Sequence, residues 1–101
     1  MGEFVPVAKA SAVPEGGGIT IFAAGRNVAL FKLEGAIFAL DGVCPHKGAP
    51  LGIGHCENGH VFCPMHGWRF NIRTGDCDEA PNRPAERFPV RIAGDMIEVA
   101  L

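Results

Sequence analysis

Two short motifs, Cys44-Pro45-His46 and Cys63-Pro64-Met65-His66, restrict what this chain can become more than any other part of it. Each joins one thiol to one imidazole, and residues 47 to 62 separate the two. Soft sulfur and nitrogen donors in two mirrored clamps point to a metal centre bound between two loops. Two ligand chemistries use two Cys and two His. One is a two-iron, two-sulfide cluster with both Cys on one iron and both His on the other. The other is a tetrahedral zinc site, which would give a redox-silent, metal-stabilised module. Ligands converging on one centre require sharp turns, and Gly42, Gly48 and Gly67 flank the clamps while Pro45 and Pro64 fix the backbone after each Cys. Zinc fingers usually group the two Cys together and place the two His on a helix. Here each half carries one of each, and Gly67 to Ile72 reads as a strand, which favours the iron–sulfide reading.

The rest of the chain reads as β structure, with no window of helical period. Phe4-Val5-Pro6-Val7 predicts an edge strand, because Pro6 has no N–H to give to a ladder. Val13 to Gly18 reads as a loop and Ile19 to Phe22 as a strand. Val28 to Leu33 and Ala36 to Leu40 form a hairpin about Glu34-Gly35. His60-Val61-Phe62 leads into the second clamp and Trp68 to Ile72 leads out, which puts that clamp at a hairpin tip. Gly52 to Gly59 reads as a connection, with His55 and His60 as solvated loop residues. Arg87 to Ile92 and Met96 to Leu101 predict a final hairpin about Gly94-Asp95. Short antiparallel strands at this spacing imply an all-β sandwich or partial barrel.

With 101 residues, the chain has room for a single domain, residues 1–101, around a modest core. A domain this small gains from a cross-link, and a cluster tying two loops together supplies one. The formal net charge of −2 gives no nucleic-acid footprint. No stretch approaches the roughly 18 apolar residues of a membrane span, and Met1 to Ala12 shows no signal-peptide pattern, so a cytoplasmic protein is expected. In that compartment Cys56 and Cys77 read as free thiols or small core residues, with a Cys56–Cys77 disulfide as the alternative. The run Asp76, Asp78, Glu79 reads as a solvated turn, or alternatively as a patch that steers a partner. No Ser/His/Asp arrangement and no phosphate-cradling Gly motif is present, so the chain is not expected to transform a substrate alone.

The stretches Cys44-Pro45-His46-Lys47-Gly48-Ala49-Pro50-Leu51 and Cys63-Pro64-Met65-His66-Gly67-Trp68-Arg69-Phe70 resemble the two cluster-binding boxes of Rieske iron–sulfur proteins. The Arg73-Thr74-Gly75 turn and the Ala80-Pro81 segment are similar to parts of small Rieske ferredoxins and of the small subunit of NADH-dependent nitrite reductase. The resemblance implies stacked small antiparallel sheets with a cluster-binding subdomain at one end, and one Rieske-type [2Fe–2S] cluster. It assigns Cys44 and Cys63 to the inner iron, and His46 and His66 to the outer, solvent-facing iron. It further implies a ferredoxin that passes single electrons from an NAD(P)H-dependent flavin reductase to a terminal, aromatic-ring-hydroxylating oxygenase. The alternative it allows is a permanent subunit beside the large subunit of a nitrite reductase. Respiratory members carry an extra Cys in each box, joined as a disulfide, where this chain has Ala49 and Met65. They also carry a Ser where this chain has Trp68, which offers no hydroxyl to a bridging sulfide. Fewer donors to the cluster imply a potential near the bottom of the roughly −150 to +300 mV range of such centres.

Overall fold

The computed structural model describes residues 3–44, 50–65 and 67–101. The strands are β1 (Phe4–Lys9), β2 (Gly18–Ala23), β3 (Arg26–Leu33), β4 (Ala36–Asp41), β5 (His55–Glu57), β6 (His60–Phe62), β7 (Arg69–Asn71), β8 (Arg87–Phe88), β9 (Val90–Ala93) and β10 (Met96–Ala100). They form three antiparallel sheets, in the orders β1-β10-β9, β2-β3-β4-β8 and β5-β6-β7.

β3 is the spine of the molecule. Its run Val28-Ala29-Leu30-Phe31 is apolar at every position, as expected of a strand covered on both faces. All four residues are fully buried. Because side chains alternate, Val28 and Leu30 enter one core with Ala39, Ile97 and Val99. Ala29 and Phe31 enter another core, with Leu40, Leu51, Val61, Phe70 and Ile72. The first core lies against the β1-β10-β9 sheet and the second against β5-β6-β7. A one-residue slip of β3 would exchange the two sets, so both cores fix its register together. The register is Phe31 against Phe38 on β4 and Phe31 against Gly18 on β2. The β3–β4 turn is held from outside, where the Glu15 carboxylate accepts the N–H groups of Glu34 (2.7 Å) and Gly35 (2.9 Å).

The expected β3–β4 hairpin, the hairpin around the second clamp and the edge strand with Pro6 are all present, and β1 bulges between Pro6 and Ala8. Two expectations are corrected. Gly52 to Gly59 is not plain connection: a 3₁₀ turn (Leu51–Ile53) is followed by β5, which pairs with β6. Arg87 to Ile92 is not one strand, because Pro89 separates β8, paired with β4, from β9, paired with β10. This break lets the chain step from one sheet to the next.

Candidate metal centre

Both clamps are loops closed at a neck, and each neck follows from its local sequence. β4 ends at Asp41, whose Oδ1 accepts the Val43 N–H at 3.0 Å and turns the chain. Gly42 lies against β3 so closely that a Cβ there would sit 2.7 Å from the Asn27 carbonyl carbon. Its N–H donates to Asn27 O (2.9 Å), and its own carbonyl accepts the N–H of Leu51 (2.9 Å). Val43 and Pro50 bridge across the neck. The second loop is tighter. The Cys63 N–H donates to Trp68 O (2.8 Å) and the Gly67 N–H donates to Cys63 O (3.1 Å). Gly67 holds φ at +71°, a conformation that side chains disfavour, which accounts for glycine there.

The necks bring the two thiols together. Cys44 and Cys63 are 1% and 2% exposed, within the core that also holds Leu51, Val61 and Phe70. Burial pushes the Cys63 thiol up to about 11, and its hydrogen bond with the Cys44 thiol adds to the rise while the Met65 backbone N–H opposes it. A buried thiol that is costly to ionise, with a second buried thiol in the same core, suits a bound cation, which replaces the protons and compensates the thiolates. None of the four cysteines is in a disulfide. The donor chemistry therefore fits the sulfur half of the expected cluster. His46 and His66 lie outside the described residues, as do Pro45, Lys47, Gly48 and Ala49 of the first tip. Sequence places His46 two residues beyond Cys44 and His66 three beyond Cys63.

The described surface around the necks is apolar. Val43 and Ile53 are exposed beside the first, and Met65 is half exposed on the second. Two open clefts of about 330 and 310 Å³ flank Arg87-Phe88-Pro89, and neither is lined by a Cys or His.

Other predicted residues find different roles. His55 and His60 are on β5 and β6 rather than in a loop. His55 contacts Glu57 at 3.0 Å and the ring of Phe62, and His60 Nε2 lies 3.6 Å from Asp78. The run Asp76, Asp78, Glu79 is engaged with its own chain rather than displayed as free charge. Asp76 accepts the Thr74 hydroxyl, and the Arg69 guanidinium meets both Asp78 (3.3 Å) and Glu79 (3.4 Å). Cys77, buried among the same core residues as Cys44 and Cys63, is bridged to Phe70. The sequence reading gave Cys77 no link to the clamps. Its position beside β7 arises from the turn at residues 72–75, which no local motif announces.

Comparison with known proteins agrees with this geometry. The family model described as the Rieske [2Fe-2S] domain matches residues 3–93. The ferredoxin component of a naphthalene 1,2-dioxygenase system from Pseudomonas aeruginosa is 33% identical over 90 residues, covering 88% of this chain and 86% of that protein. The ferredoxin of carbazole 1,9a-dioxygenase from Nocardioides aromaticivorans superposes with a TM-score of 0.85 at 27% identity, covering 96% of each chain. A Mycobacterium tuberculosis protein assigned as the small subunit of an NADH-dependent nitrite reductase superposes with a TM-score of 0.88 at 25% identity, covering 100% of this chain and 96% of that one.

Proposed function

The chain belongs to the Rieske [2Fe-2S] domain family, and from that membership we propose that it is a one-electron carrier of the ferredoxin type. Its cofactor is the family's [2Fe–2S] cluster, which when bound supplies a centre that takes up and returns one electron. Cys44 and Cys63 would hold it as thiolates, and His46 and His66 as imidazoles. The observation that carries this reading is the burial of two thiols in one core, each at the neck of a loop that continues in sequence to a histidine. The hydrophobic surroundings of Cys44 and Cys63 keep water from the sulfur side, and Leu51, Val61 and Phe70 wall it.

The partners are a flavin-dependent reductase on the donor side and a terminal oxygenase on the acceptor side; the naphthalene relative is named as the ferredoxin component of a dioxygenase system, which supports the acceptor. They would meet the chain at the clamp end of the molecule, where Val43 and Ile53 beside the first neck and Met65 on the second offer apolar surface. The chain acts as one domain, a reading supported by two cores that share β3. Its working compartment is the cytoplasm, supported by thiols kept out of disulfides and by the absence, among the described residues, of any helix long and apolar enough to cross a membrane.

Anaerobic purification followed by iron and inorganic-sulfide analysis tests the proposal. Equal amounts of the two, with an absorbance that dithionite bleaches and air restores, are expected. Zinc in their place would contradict it. Permanent, stoichiometric co-purification with a sirohaem protein would move the chain from free carrier to nitrite reductase subunit, a group whose fold it matches equally well.

A further inference from the structure

We propose that Glu79 is a positioning residue for the cluster, holding the peptide unit that fixes the backbone of Cys63. This rests on the ligand assignment above. The peptide joining Trp68 to Arg69 is gripped from both sides. Its carbonyl oxygen accepts the Cys63 N–H at 2.8 Å, and its N–H donates to Glu79 Oε1 at 2.7 Å. In a planar trans peptide the C=O and N–H point in opposite directions, so these two bonds pull along one line and set the tilt of the whole plane. A carboxylate on the N–H also polarises the peptide and strengthens the bond that its carbonyl makes with Cys63.

The carboxylate is itself held in place. The Arg69 guanidinium folds back to within 3.4 Å of Glu79 and 3.3 Å of Asp78. The Asp78 N–H donates to Arg69 O at 3.0 Å, which lays residues 76–79 along β7 as a short rung. Cys77, two residues before Glu79, is buried in the core that contains Cys63. The second loop therefore has a non-covalent strap on its exit, in a chain that has Ala49 and Met65 where respiratory relatives have a disulfide. The strap acts on a ligand through the backbone, without touching the metal.

The test is cluster release from the reconstituted protein to an excess of chelator, followed by bleaching, alongside the EPR line shape of the reduced state. Glu79→Ala removes the acceptor, and is expected to speed bleaching on the order of tenfold and to shift the EPR line shape. Glu79→Gln keeps an oxygen for the Arg69 N–H, and is expected to stay within about twofold of wild type. Glu98→Ala, which breaks the 2.6 Å pair with Arg91 on the β1-β10-β9 sheet, controls for general loss of stability and should leave both readouts unchanged. Bleaching of Glu79→Ala at the wild-type rate, or equally fast bleaching of Glu98→Ala, would overturn the proposal. If Glu79→Ala does not fold, Glu79→Asp, which withdraws the oxygens by one methylene, is read in the same way. Wild-type protein that takes up no cluster would instead reject the ligand assignment.

Discussion

The Arg69 backbone N–H, first among its causes, holds the Glu79 carboxyl below the ordinary carboxylate range, with the Arg69 guanidinium adding to the effect and desolvation opposing it. A carboxylate whose folded pKa is depressed stabilises the fold above its unfolded pKa, and that contribution is lost as pH falls through the folded value. Glu79→Ala is therefore expected to cost roughly 1 kcal/mol at neutral pH, since the group is partly exposed, and less once the wild-type carboxyl is protonated, when its oxygen still accepts the Arg69 N–H but the charge is gone. Urea unfolding of both proteins at neutral and acid pH measures this, and an undiminished difference in acid would refute it. Met65 is 50% exposed at the second neck. Met65→Glu places a charge on the face proposed for docking and is expected to slow electron transfer on the order of tenfold, with the wild-type absorbance spectrum retained. Stopped-flow reduction by the partner reductase checks it, and an unchanged rate would place docking elsewhere. At this level the sequence was most legible where chemistry is local: the placement of Cys44 and Cys63 follows from their motifs. Glu79 was not legible, because its role is a side-chain bond to a backbone ten residues away that exists only after the chain has turned at residues 72–75.

Among the secondary-structure elements, β3 places four fully buried residues in the two cores. Phe31 is fully buried between the sheet and the cluster-bearing subdomain, so Phe31→Ala is expected to cost about 3–5 kcal/mol, whereas Phe22→Ala on edge strand β2, 71% exposed, should change stability by less than about 0.5 kcal/mol. Chemical denaturation separates them, and equal costs would contradict the two-core description. The β3–β4 hairpin was readable because an apolar run, a Glu-Gly turn and a second apolar run fall at the right spacing. β5 escaped notice because His55-Cys56-Glu57 is only three residues long with Cys56 as its single apolar member, too short for an alternation to be read, and Gly54 lets it approach β6 closely. The division of Arg87 to Ile92 between two sheets was signalled by Pro89 alone, and proline marks an interruption without saying which sheet each side joins.

For the molecule as a whole, the absent inter-loop disulfide and Trp68 in place of a hydroxyl donor predict a midpoint potential near the low end of the roughly −150 to +300 mV range. Equilibrium redox titration measures it, and a value near the upper end would mean that hydrogen bonds to the sulfurs come from another source. A low potential leaves driving force for passing the electron on to an acceptor. The three-sheet architecture was legible only through the resemblance of the two boxes, since β periodicity alone implied a sandwich or barrel without saying where the clamps would lie.

Nitrogen-15 labelling of histidine, followed by pulsed EPR of the dithionite-reduced protein, interrogates the coordination sphere itself. Two histidine nitrogens coupled to the unpaired electron, with one coupling lost in each of His46→Cys and His66→Cys, are the expected result. A spectrum with no histidine nitrogen coupling would contradict mixed thiolate and imidazole ligation.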